Sequence, residues 1–380
     1  MANVLTDLAG DIYKAADVVS RELVGAIPSI TINGDGTQRA ALNDTVRSFV
    51  APAATSVTNT PSMTIPEGTD QTVGNKTMTL SKSKGVQIPW TGEDVRHVNN
   101  GSGYQSILGD QFEQAFRTIT NEMESDVCTD LYQNASRAYG TAGTTPFATA
   151  GDYTDMSETL RILKDNGQAN GDNTLILNTA AGAKMIGKQA DANRQGSDSI
   201  LRQGVLLDVA GNRIRESAQV AAHTKGTGSG YLVNNASLAI GDTVIAADTG
   251  TGTILAGDVV TFAADANNKY VVTEALSGGS FTIGAPGLRV AIADNNAITV
   301  GDNYAGNILV ARSAAEIAVR APAMPEGGDA ASDSMIVVDP RSGIPFDISF
   351  YKGFQKAMIN VSAVWGYKTW KQEGVANLLG

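Results

Sequence analysis

GYQSILGDQFEQAFRTITNEMESDVCTDLYQNASRAY, residues 103–139, is the stretch whose reading decides the fold. Leu108, Phe112, Ala115, Phe116, Ile119, Met123, Val127, Leu131 and Ala135 recur at spacings of three and four and share one helical face. Asp110, Glu113, Arg117, Glu122, Glu124 and Asp130 are spread over the other faces. Neither Gly nor Pro interrupts the run between Gly109 and Gly140. At about 1.5 Å per residue the predicted helix is roughly 50 Å long, far beyond the usual three or four turns. Its stripe drifts and contains Phe, which suits a strut covered by a sheet better than a coiled-coil seam.

On the N-terminal side, residues 51–84 change texture. Pro52, Pro61 and Pro66 punctuate a run rich in Thr, Ser and Asn, and Lys76 to Lys84 then alternates apolar with polar. Two strands flanking a charged turn from Glu67 to Gly74 give a long β-hairpin. It has too few large apolar groups to bury a face of its own, and an isolated hairpin is marginal in water, so it requires a neighbour. Residues 3–25 read as an amphipathic helix through Val4, Leu5, Leu8, Ile12, Ala15, Ala16, Val19 and Leu23, stopped by Pro28. Two readings stand for it: an extended arm, or a terminal helix packed on its own subunit.

On the C-terminal side an α/β stretch follows: helix over Met156–Lys164, a buried strand Thr174–Leu177, a second helix Ala180–Gln189, and strands at 204–208 and 212–215. From 223 to 302 short β-type runs take over: 243–246, 259–263, 269–273, 280–283 and 289–292. Recurrent Gly-Asp turns and Ser277-Gly278-Gly279 separate them. Five strands at this spacing predict a small barrel or sandwich. It is inserted in an α/β unit that resumes at Asn307–Val310 and Glu316–Val319. Near the end, Ala357, Ile359, Val361, Ala363, Trp365 and Tyr367 alternate with polar or smaller residues, and Phe346, Ile348 and Phe350 do the same. That sheet is the natural cover for the long helix.

The totals exclude several classes of function. Among 380 residues the net charge is −11, and the densest basic feature is Lys76, Lys82 and Lys84, so sequence-specific nucleic-acid binding is not expected. One cysteine, Cys128, allows no internal disulfide, and no apolar run approaches the roughly 20 residues of a membrane span. No signal peptide is read in residues 1–25, so the expected site of synthesis is a reducing cytoplasm.

No catalytic constellation emerges either. Gly182-Ala-Lys-Met-Ile-Gly187-Lys188-Gln189 is a near miss to a phosphate loop. It carries Gln where the hydroxyl that holds magnesium belongs, and it reads as continuous helix rather than open backbone. His97 and His223 lie in dissimilar surroundings and read as surface or turn residues. Cys128, one step from the apolar stripe, reads as a partly packed helical residue. Asp265–Asn268 and Asn33–Gly36 lack the spaced acids of a calcium loop. The cluster Glu122, Glu124, Asp126 reads as a solvated helix face. No enzyme activity, cofactor or metal is expected.

The order of parts resembles the Hong Kong 97-type fold of tailed-bacteriophage major capsid proteins: arm, long hairpin, very long helix, α/β centre and a sheet returning from the C-terminus. The β-rich insertion and the ending, Ile359–Trp370 followed by Glu373–Gly380, resemble the Salmonella podovirus coat-protein group, although the insertion here is shorter and richer in Gly and Ala. The resemblance implies an α+β chain with an N-terminal arm (1–50), an extended loop (51–84) and a peripheral domain (85–145) carrying the spine helix 103–139. An axial domain (146–222 and 303–333), an inserted β-domain (223–302) and peripheral strands with the C-terminus (334–380) complete it. It further implies pentamers and hexamers in an icosahedral shell around double-stranded DNA. Scaffolding, portal and decoration proteins are the implied partners, with no membrane, and the shell is assembled in the bacterial cytoplasm and ends in the virion. Intersubunit contact is expected through Glu67, Asp70, Lys76, Lys82 and Lys84. Two other readings compete. An encapsulin-type bacterial compartment is disfavoured by the insertion and by chain size, and a β-rich phage tail or adhesion protein by the 37-residue helix.

Overall fold

A computed structural model of the chain describes residues 5–22, 25–50, 56–65, 74–99, 104–149, 152–168, 171–189, 208–209, 211–339 and 342–380. Its helices in chain order are α1 (Leu5–Glu22), α2 (Gly92–Asn99), α3 (Tyr104–Gln133), α4 (Thr154–Asp165) and α5 (Thr179–Gln189). The expected strand at 204–208 falls almost wholly outside the described residues.

The long helix is α3, and it ends at Gln133 rather than at 139. Ser136 Oγ donates to the Val375 carbonyl at 2.8 Å, and Arg137–Gly140 then pairs in parallel with Val375–Leu379. A sheet position for 137–140 outcompetes two further helical turns, which periodicity alone cannot reveal. The predicted stripe is otherwise buried from Leu108 to Leu131. Cys128 is fully buried, and its burial pushes the thiol well above its usual range.

One face of α3 meets a six-stranded sheet whose axis is the strand Lys356–Thr369. Lys82–Thr91 lines one edge of that strand; Pro345–Gly353 and then Ala315–Pro322 share the other. Ile359, Val361, Ala363 and Trp365 point into the core with α3, as the alternation predicts. Phe116 meets Phe346 edge to face at 4.8 Å between ring centres. On the opposite face Val364 packs with Met78, Leu80, Ala40 and Ala318.

α1 packs on α3 of its own chain through Ile12, Ala15, Ala16 and Val19, all buried. This is the second of the two readings. Glu124 fixes the turn that follows: its buried carboxylate accepts the backbone N–H groups of Ala26 and of Ile27, the latter at 2.8 Å. Glu124 is thus not on a solvated face. Neither is Asp126, which accepts from Trp365 Nε1 at 2.9 Å and from Lys82 Nζ at 2.5 Å.

The α/β unit is built on a second sheet, ordered Arg213–Glu216, Asn173–Leu177, Tyr304–Ala311, Val375–Leu379, Arg137–Gly140. Its three central strands are buried on both faces. Leu175, Leu177, Leu309, Ala376 and Leu378 face α4 and α5, while Ile176, Ile308, Val310, Val375 and Leu379 face the α3 core. Val375–Leu379 sits in the middle of this sheet, apart from the six-stranded sheet on α3.

The insertion has its own core around Phe262, Tyr270, Phe281, Ile245 and Ile283. It is not a detached bead. Its strand Asp265–Ser277 also pairs with the α/β sheet, Lys269 opposite Ala138 and Tyr270 opposite Arg137. Arg137, almost fully buried, donates to Asn268 Oδ1 at 2.9 Å and to Asn166 Oδ1 at 3.2 Å across the junction. The expected strand 289–292 reduces to a two-residue pairing, Ile292–Ala293 with Ser237–Leu238.

Candidate intersubunit surface

The hairpin differs in register from its sequence reading. Thr45–Val50 pairs antiparallel with Gly74–Thr79, so the connection between its strands is residues 51–73. The single strand expected over 76–84 breaks at Leu80-Ser81. Met78 and Leu80 are drawn into the small cluster with Val364, and Leu80 N donates to the Asp44 carbonyl at 2.8 Å. The chain then resumes as Lys82–Thr91 in the peripheral sheet.

Residues 76–91 therefore run along the whole axial strand of that sheet. Lys76 Nζ lies 3.3 Å from the Trp370 carbonyl, Lys82 is opposite Trp365, and Thr91 is opposite Lys356. The hairpin leaves at the Trp370 end. Within its connection, residues 56–65 are all exposed, with Val57 at 82%, Met63 at 105% and Ile65 at 92%. Isolated exposed apolar residues are ordinary; here three fall within nine residues of one segment.

Of the five residues expected to make intersubunit contacts, Glu67 and Asp70 lie outside the described residues. The three lysines have partners in their own chain. Lys76 lies over the Trp370 ring at 6.0 Å, Lys82 is paired with Asp126, and Lys84 is 3.7 Å from Glu122. The hydrogen bond to Asp126 raises the Lys82 ammonium above its usual value. Lys82 and Lys84 thus tie the root of the hairpin to α3. Sequence reasoning missed this because Glu122 and Asp126 are more than 35 positions away and carry no local pairing signal.

The chemical candidates resolve into structural roles. α5 is continuous through the near-miss phosphate loop, and the buried Lys188 ammonium sits 5.4 Å from the Phe147 ring centre and 5.2 Å from that of Tyr153. His223 is buried, contrary to the surface reading. Its Nε2 is 2.8 Å from Asp258 Oδ1, and Asp258 also accepts from Gly226 N at 3.0 Å and Leu255 N at 2.7 Å. The Tyr304 hydroxyl donates to the Gly257 carbonyl at 2.6 Å, closing a joint between the α/β sheet and the insertion. His97 is exposed on α2. Asp265 takes hydrogen bonds from Asn268 and Tyr270. Among the described residues no His, Cys, Asp and Glu group is placed to hold a metal, and no helix is long and apolar enough to cross a membrane.

No family model matches the sequence, and no curated protein matches it. Solved structures do. The capsid structure of the cyanophage P-SCSP1u is similar over 92% of this chain and 86% of its own, with 10% identity and a TM-score of 0.50. A structure of Mycobacterium phage Che8 covers 89% of this chain and 85% of its own (12% identity, TM-score 0.44). A virus-like particle from Pyrococcus furiosus covers 97% and 98% (9% identity, TM-score 0.44). The long helix under a sheet, the hairpin leaving that sheet, the central α/β unit and the overlap with the cyanophage capsid together give this chain the α+β, Hong Kong 97-type capsid fold.

Proposed function

We propose that this chain is the major capsid protein of a tailed bacteriophage, assembling as pentamers and hexamers into an icosahedral shell around double-stranded DNA. The observation that carries the reading is the uncovered segment 56–65 on a chain whose fold is that of a phage capsid subunit. Three large apolar side chains are held in water by a single copy, and an assembled neighbour removes them from it. On this reading residues 1–50 form the arm and 51–84 the extended loop. Residues 85–136 and 312–374 form the peripheral domain. Residues 137–222 and 303–311, with the strand Val375–Leu379, form the axial domain, and 223–302 the inserted β-domain.

Glu67 and Asp70 on the loop contact the neighbouring copy, while Lys76, Lys82 and Lys84 hold the loop's root in place. Scaffolding, portal and decoration proteins are the further partners. The net charge of −11 suits a container that encloses DNA without gripping its sequence. Assembly takes place in the bacterial cytoplasm and the product resides in the virion. The chain acts by packing, with no reaction to catalyse.

Electron microscopy of the chain expressed in bacteria, with and without a co-expressed scaffolding protein, tests the proposal. Closed shells or uniform procapsids tens of nanometres across are expected. A monodisperse small oligomer under every condition overturns it.

A further inference from the structure

Three arginines meet one carboxylate at a corner of the α/β sheet. Arg213 and Arg215 flank Ile214 on the edge strand Arg213–Glu216; Ile214 faces the core under α4 and α5, so both guanidinium groups leave from the opposite face. Asp172, just before the neighbouring strand Asn173–Leu177, takes Arg213 Nη1 at 2.9 Å on one oxygen and Arg312 Nη1 at 3.5 Å on the other. Arg312 directly follows the strand Tyr304–Ala311, and its backbone N–H donates to the Asp172 carbonyl at 3.0 Å, which fixes the corner. Asp172, Arg312, Ser313, Thr31 and Gln168 line an open cleft of about 330 Å³ beside it. That volume falls at the lower end of the range of about 300–1,000 Å³ usual for small-molecule sites.

The charges at this corner do not balance. Arg213 and Arg312 are half exposed and share Asp172. Arg215 lies deeper; burial first, and then the Arg213 and Arg312 charges, lower its guanidinium from its ordinary value. Of the two carboxylates that offset this, Asp172 is shared and Glu124 is already engaged by Ala26 and Ile27. A chain of net charge −11 thus gathers a local excess of positive charge at the mouth of a polar cleft. We infer that the cleft is an oxyanion site that takes a phosphate group, with Arg312 and Arg213 as its charged ligands and the Ser313 hydroxyl on its wall. A guanidinium presents a planar fork of N–H donors that matches two phosphate oxygens. Asp172 orients the two forks and also competes with the ligand for them. The phosphate is carried either free in solution or in a nucleic-acid backbone. The inference goes beyond the shell-protein reading and does not depend on it.

Thermal unfolding of the full, unassembled chain in rising inorganic phosphate, against sodium chloride at matched ionic strength, tests this. A saturable rise in Tm that chloride does not reproduce is expected. Arg312→Gln and Arg213→Gln should each weaken the apparent phosphate affinity by about tenfold or more. Arg161→Gln, a similarly exposed and ion-paired arginine on α4, should leave it unchanged. Asp172→Asn has the opposite sign: it removes the competing carboxylate and tightens phosphate binding, a change that a merely structural role for Asp172 does not produce. Arg312→Lys keeps the charge and loses the fork, so its affinity should fall between native and Arg312→Gln, and it remains readable if the Gln variants fail to fold. A short mixed-sequence DNA duplex that displaces phosphate, with the same dependence on Arg312, supports the site and assigns it to a nucleic-acid backbone. A duplex that leaves the phosphate response intact supports the site and assigns it to free phosphate. A phosphate response no larger than that of chloride overturns the site, and so does one left unchanged by both Arg312→Lys and Arg312→Gln.

Discussion

Glu124 is the residue whose removal the structure prices most clearly. Its carboxylate is 5% exposed and accepts two backbone N–H groups, from Ala26 and Ile27, which are themselves fully buried. Glu124→Ala leaves both donors without a partner and without water. Hydrogen bonds to a charged acceptor contribute about 1.5–3 kcal/mol each, so losing the two should cost about 3–6 kcal/mol. Against a usual total of about 5–15 kcal/mol this is a large share. In a chain of 380 residues, with an unfolding entropy of about 0.8 kcal/mol/K, it lowers Tm by about 1.3 °C per kcal/mol, or about 4–8 °C.

Gly25 supplies the internal control. A methyl group there would fall on Glu124 Oε1 and come within 2.8 Å of Ser217 Cβ. Gly25→Ala should therefore destabilise the native chain, and do so less by at least about 1 kcal/mol once the carboxylate is gone. Urea unfolding of the unassembled chain, followed through the fluorescence of the buried Trp365, measures all four corners of the cycle. Working below the assembly threshold keeps mass action out of the comparison. A loss under about 1 kcal/mol for Glu124→Ala, or strict additivity with Gly25→Ala, refutes the claim that this carboxylate anchors the first helix and its turn to α3.

Other expectations follow from the same geometry. Burial holds the Asp130 carboxyl above its ordinary value of 3.8, with Thr369 pulling it back. A carboxyl raised in the folded state contributes stability that is complete below the ordinary value and is lost as pH rises through the raised one. Asp130→Asn, which keeps an acceptor for Thr369, should therefore gain on the native chain as pH climbs from about 4 to about 7, and a pH-independent gap in urea midpoints refutes this. Asp258→Ala strips Gly226 N, Leu255 N and His223 of their acceptor and should cost about 2–4 kcal/mol, with new protease nicks between 223 and 230. Met63→Ser with Ile65→Ser should leave the isolated chain within about 0.5 kcal/mol of native, because both side chains are already in water. The same pair should raise the concentration needed for assembly at least about tenfold, as burying each apolar side chain contributes about 1.5–3 kcal/mol.

What could be read from the sequence was what repeats along it. The stripe from Leu108 to Leu131 and the alternation from Ile359 to Trp365 were visible because each residue's burial follows from its neighbours three, four or two positions away. The order of those parts was enough for the fold. The errors fall where a distant strand decides. Residues 135–139 continue a helical pattern, yet Val375–Leu379 claims them for a sheet. Met78 and Leu80 fit an alternating strand, yet Val364 and Ala318 pull them into a pocket that breaks it. Glu124, Asp126 and His223 carry polar side chains of a kind usually solvated, and only the fold places Ala26, Trp365 and Asp258 against them. The contact surface was half legible: the weakness of the hairpin's own core pointed to a neighbour.

The place of Val375–Leu379, inserted between Tyr304–Ala311 and Arg137–Gly140, bears on timing during synthesis. Until the ribosome has delivered these residues, the two flanking strands face a gap, and the core between sheet and α3 lacks Val375 and Leu379. At about 5–20 residues per second, the strand Arg137–Gly140 waits some tens of seconds for its partner, and pairing across so long a separation is slow in itself. A product truncated before Val375 thus has no finished central sheet, and the strands Tyr304–Ala311 and Arg137–Gly140 keep their facing edges unpaired. Under the proposed shell role, such a product is kept out of assembly by its own architecture.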